Sequence, residues 1–209
     1  MLSATLMAYI RFFVLLTPII IPTMAIFGSF FNPSFKGFVY VLGLTIAMLF
    51  GSLVSRSIGK RVPGEMKDGV FKPGINAACN LLGSSLTGWG TEYATPGPHA
   101  LILAFTATYF MFPMFLNGTT NLFLIGGLIL MLILSAAIRV SEPMICLGFG
   151  SVVAGWFTGF FLGAMWYFTV ATLAGPKSGL TYFEVEKSDR QQCKLDKKSF
   201  RCRRKMAAI

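Results

Sequence analysis

The chain holds one histidine, His99, in Pro96-Gly97-Pro98-His99-Ala100, directly ahead of a long apolar run. An imidazole at such a mouth can carry a proton near neutral pH or hold a phosphate oxygen. The basic residues that could work with it are Arg56, Lys60 and Arg61 upstream and Arg139 downstream. Together these supply the donors and positive charge that an anion or a lipid headgroup needs. The competing reading of the arginines and lysines is interfacial snorkelling, and of His99 a plain helix-start residue. Cys79, Cys146, Cys193 and Cys202 lack the close spacing of a zinc site. They read as free thiols, with a disulfide in either pair open only in an oxidising compartment. No metal or cofactor is expected.

The elements that must position these groups are membrane helices. Of 209 residues 55% are hydrophobic and only 12% charged, and the mean hydropathy is +0.68. Soluble chains carry about 25% charge. Apolar runs at 12–31, 37–54, 100–116, 121–138 and 147–173 approach or exceed the ~20 residues that cross a bilayer as helix. The expected fold is therefore all-α, with about five transmembrane helices over 1–175 and a basic polar tail over 176–209. Pro18 and Pro22 should bend the first span. Gly43, Ala47, Gly51 and Ser52 in the second recur about four apart, a spacing that lets helix backbones approach closely. Between the second and third spans lies a long polar stretch, 55–95. A short interfacial helix is expected at 81–89, with Trp89 and Tyr93 at headgroup level. Asn117-Gly118-Thr119 matches a glycosylation sequon but lies too near the bilayer to be an acceptor.

Charge is unevenly spread. Of the 18 Lys and Arg ten follow Pro176, against four of the eight acids, and the 56–99 loop holds five bases against three acids. A basic flank beside a membrane reads as a cytoplasmic side or a contact to anionic headgroups. No recognition fold accompanies the charge, so nucleic acid is set aside. Lys194, Lys197, Lys198, Arg201, Arg203, Arg204 and Lys205 are the expected partner-binding residues of the tail. Phe183, Leu195 and Phe200 punctuate them as apolar anchors of an extended segment laid along a partner. Five spans would put the N-terminus and the tail on opposite faces, and the 56–99 and 139–146 loops on one face.

The order of the polar junctions resembles the type-2 phosphatidic acid phosphatase family, the lipid phosphate phosphatases. Gly59-Lys60-Arg61-Val62-Pro63-Gly64-Glu65 looks like the end of that family's first motif. Pro96-Gly97-Pro98-His99-Ala100 looks like the second. Arg139 with Gly150-Ser151-Val152-Val153-Ala154-Gly155-Trp156 looks like the third. The resemblance covers roughly 55–172 and implies a lipid-phosphatase-like bundle. In that family a third-motif histidine attacks phosphorus, a carboxylate orients it, and the second-motif histidine protonates the leaving alkoxide. Aligned back from Gly155-Trp156, Leu147 stands at the nucleophile and Ser151 at the carboxylate. The family's first-motif Lys and Arg fall near Ser55 and Val62. His99 and Arg139 are thus degenerate remnants, and a pseudo-enzyme is implied.

The expected function is a non-catalytic membrane scaffold or anchor in a larger assembly, leaning to a minor capsid component of a virion with an internal membrane. Its expected partners are the bilayer, anionic lipids at Arg56, Lys60, Arg61, His99 and Arg139, and protein subunits through the tail and the 56–99 loop. Two alternatives stay open: an active lipid phosphate phosphatase with a displaced nucleophile, and an accessory subunit of an organelle or endoplasmic membrane complex. A channel or transporter would need ionisable residues inside the spans, and 101–138 and 147–173 contain none.

Overall fold

The computed structural model describes residues 4–32, 34–59, 64–67, 70–73, 89, 93, 95–141, 148–175, 179–183, 192–196 and 199–203. For residues 4, 5, 7, 8, 139–141 and the strands only the backbone is described. Among these residues lie α1 (Ala4–Phe31), α2 (Lys36–Ile58), α3 (Pro98–Asn117), α4 (Leu122–Ser141) and α5 (Phe149–Ala174). The protein is an all-α, polytopic helical membrane protein. Tyr9–Phe31, Lys36–Ile58, Pro98–Asn117 and Phe149–Ala174 are long and apolar enough to cross a bilayer, and the apolar part of α4, Leu122–Ile138, is shorter.

Two antiparallel ribbons complete the described chain: β1 (Gly64–Lys67) with β2 (Val70–Pro73), and β3 (Gln192–Asp196) with β4 (Ser199–Arg203). In the second, the extended chain of the tail pairs with itself. Its register sets Cys193 opposite Cys202 and Lys194 opposite Arg201. Cys79, Cys146 and residues 81–88 of the helix expected at 81–89 lie outside the described residues, and Trp89 itself bridges to Tyr93.

The helix ends follow local chemistry. Pro98 occupies the first turn of α3, where a missing N–H costs nothing. Gly118, at φ 66°, ends that helix in the left-handed conformation that favours glycine. The Asn121 side-chain oxygen then accepts from the amides of Phe123 and Leu124 at 3.1 and 3.2 Å, starting α4.

The core is built on α3. Gly155, Gly159 and Gly163 form a stripe down α5 that packs on Ala100, Ala104 and Thr108 of α3. A Cβ on Gly155 would sit 2.7 Å from the Gly97 carbonyl, and one on Gly159 would strike that of Leu101. In lipid, such close contact replaces the hydrophobic drive that water would supply. The numbering rises together on both helices, so α3 and α5 run parallel. Tyr40 of α2 stacks among Phe105, Tyr109 and Phe110, and Leu132 of α4 packs with Leu103 and Ala107.

The small residues of α2 do a different job from the one expected of them. Gly43 receives the Trp166 indole and Gly51 the rings and methyls of Trp89 and Leu101. These two make room for side chains, while backbone-to-backbone approach occurs along α5 and, on α2, at Gly37 against the Ala25 carbonyl. Trp89 is likewise no interfacial anchor. It is 2% exposed, and its Nε1 donates to the Pro96 carbonyl at 2.7 Å.

The packed domain also runs past residue 175. Thr181 is buried, Tyr182 and Phe183 stack on Phe110, and Asn117 Nδ2 donates to the Phe183 carbonyl at 2.9 Å. The sequon nitrogen is therefore committed to the fold. Phe183 is an anchor to the bundle itself, not to a partner.

Candidate functional site

Chain direction brings four helix ends to one face: the last turns of α2 and α4 and the first turns of α3 and α5. The Gly97 amide donates to the Ser151 carbonyl at 2.9 Å, tying the second-motif and third-motif segments together. Gly155 closes against Gly97 and Ala100 one turn further in. The segments 96–100 and 150–156 therefore meet as packed backbone.

His99 lies in the first turn of α3 and is 1% exposed. Its Nε2 stands 2.9 Å from the carbonyl oxygen of Leu15. A carbonyl only accepts, so Nε2 carries a proton and donates it. Pro18 follows in the same helix and lacks the N–H that would serve the Val14 carbonyl. The imidazole thus joins α1 to α3. Held this way, Nε2 has no approach to a phosphate oxygen or a leaving alkoxide.

The other residues expected here divide. Arg56 is exposed in the last turn of α2, where a cation suits the helix dipole. Ser55 is fully buried beside it, and its carbonyl accepts from Gly59 at 2.9 Å. Arg139 falls in the last turn of α4, at the same end, with only its backbone described. Lys60, Arg61, Val62 and Leu147 lie outside the described residues. Ser151 is buried at the start of α5. In the tail, Lys194 falls on β3 and Arg201 and Arg203 on β4, while Lys197, Lys198, Arg204 and Lys205 lie outside the described residues.

No family model, no curated protein and no solved structure matches this chain. The resemblance rests on its own residues.

Sequence reasoning missed two features near this end. One is the contact of α5 on α3, whose signal was the triple glycine at 155, 159 and 163. The other is the buried Trp89, an aromatic in a Gly-rich polar stretch that looked interfacial. On the opposite face it missed Ser29, whose hydroxyl accepts from the Gly37 amide at 2.8 Å and also hydrogen-bonds Tyr182. That residue joins the α1–α2 turn to the returning segment. Burial there pushes the Tyr182 phenol above its ordinary value, with the Ser29 bond pulling the other way.

Proposed function

We propose that the protein is a non-catalytic membrane scaffold that anchors a larger assembly to a bilayer. The observation that carries this reading is the closed contact between the second- and third-motif segments. A phosphotransfer site needs a hollow where nucleophile, acid and cations converge on phosphorus. Here that position holds Gly97, Ala100 and Gly155 in contact, with the only histidine bonded to a backbone carbonyl. The exposed Arg56 at that face, with Lys60, Arg61 and Arg139 near it in sequence, is proposed to meet anionic headgroups. The basic chain beyond Phe183 is proposed to meet the partner. We take that partner to be a protein layer on the bilayer, as in a virion with an internal membrane. Its support is the amount of charge, since the nine bases beyond Phe183 exceed what a topology signal requires.

The test has two arms. The purified protein should release no phosphate from phosphatidic acid above a no-enzyme control. Turnover that His99→Ala abolishes, with the fold retained, would overturn the scaffold reading. In the assembly, truncation after Phe183 should leave the bundle folded and release it from its partners in moderate salt. Retention of the truncated chain in high salt would move the attachment to the 56–99 loop.

A further inference from the structure

The face opposite the degenerate motifs holds a cleft of about 600 Å³ between the C-terminal half of α1, the start of α2 and the returning Tyr182. One wall is apolar and lies within a membrane-spanning helix: Ile20, Met24 and Gly28 follow one another at four-residue steps along α1. Phe110 continues that surface from α3. The other end is polar, with Ser34 and Lys36 on the α1–α2 turn and the Tyr182 side chain opposite. The long axis therefore runs from hydrocarbon depth to the level of the headgroups. From Ile20 to Lys36 the cleft has the polarity of a phospholipid laid beside a helix: an acyl chain below, an anion above.

We infer that this cleft binds one membrane phospholipid with an anionic headgroup, its phosphate at Lys36 and an acyl chain along Ile20 and Met24. Three observations argue for that occupant. The volume lies within the ~300–1,000 Å³ of ordinary ligand sites, enough for a chain and a headgroup in part. Lys36 is half-buried at the rim and starts a helix with no acid in its first turn and no side-chain cap. A cation there opposes the helix dipole, and a phosphate would reverse the sign of that interaction. Gly28 has nothing within 4 Å of the place a Cβ would take, so the wall is open where a chain would lie. A hydrocarbon chain needs no partner there beyond contact. This site is independent of the Arg56 face and of the scaffold reading.

The experiment is native mass spectrometry of the full chain in mild detergent, titrated with dioleoyl phosphatidylglycerol or dioleoyl phosphatidylcholine. Equal chains isolate the charge. Wild type should retain one phosphatidylglycerol in preference to phosphatidylcholine. Lys36→Gln should lower phosphatidylglycerol retention about tenfold, the effect of one charge-assisted contact, and leave phosphatidylcholine unchanged. Gly28→Leu, at a position where a Cβ meets nothing within 4 Å, fills the wall and should lower retention of both lipids, with an unaltered unfolding midpoint showing that the bundle persists. Equal retention of the two lipids, or retention indifferent to Gly28→Leu, would overturn the inference. So would a gain of phosphatidylglycerol on truncation after Phe183, because the acidic stretch holding Glu184 and Glu186 would then be the occupant.

Discussion

The two ends of the bundle are assembled on different terms. At the motif end, α5 lies on α3 glycine to backbone, Gly155 against the Gly97 carbonyl. At the other end Gly37 closes on the Ala25 carbonyl, but a cleft lined by side chains opens beside that contact. Small residues bring backbone onto backbone at one end, and a short turn leaves a side-chain-lined cleft at the other. The difference teaches that the polar junctions between helices need not mark where a molecule is open.

The sharpest way to break the contrast is to force the tight end apart. Gly159→Leu would drive a branched side chain into the Leu101 carbonyl and Ala104. Overpacking against backbone should cost about 3 kcal/mol or more. The expected readout is loss of the monodisperse species in detergent, whereas Gly28→Leu at the loose end should leave it intact. Similar tolerance of both substitutions would erase the difference between the ends.

His99→Ala comes next. It removes the part-buried bond between α1 and α3 and should lower stability by about 1 kcal/mol, measured by thermal unfolding. An unaltered midpoint would say that the histidine is held for something other than the fold. Tyr40→Phe probes the middle of the bundle. Thr106 donates its hydroxyl proton to the Ile102 carbonyl at 2.7 Å, so Tyr40 must be the donor in its 2.7 Å bond to Thr106. Losing one such neutral bond should cost about 1 kcal/mol. A larger loss would mean that the aromatic cluster repacks around the deletion.

The smallest effect concerns the returning segment. The folded state holds the Tyr182 phenol above its ordinary value, so it stabilises the protonated form. Docking of 179–183 should persist at and below about pH 10, near the unfolded value, and weaken as pH rises through the folded one. Tyr182 should ionise late in an ultraviolet titration, and Tyr182→Phe should remove that late component. A titration curve that Tyr182→Phe leaves unchanged at its alkaline end would mean that the segment is not held against Phe110.

Much of this molecule is written in local pattern. Long apolar runs commit the chain to membrane helices because lipid offers the backbone no partner, and the five runs correspond to the five helices within a few residues at most ends. The glycine at 118 and the asparagine at 121 announce the break between α3 and α4 by chemistry that needs no tertiary contact. What sequence left undecided was which neighbour each small residue would meet. Gly43 and Gly155 carry the same signal, yet one admits an indole and the other a carbonyl. That choice depends on where α3 lies between α2 and α5, a relation spread across more than a hundred residues. The same holds for His99. Its position at a helix start could be read from Pro98, but its commitment to Leu15 required α1 to pack beside α3. Sequence by itself determined the helices and their ends, because propensity and hydropathy act within a few turns. Only tertiary structure decided which end is closed, because backbone contact is set by how three helices share one surface.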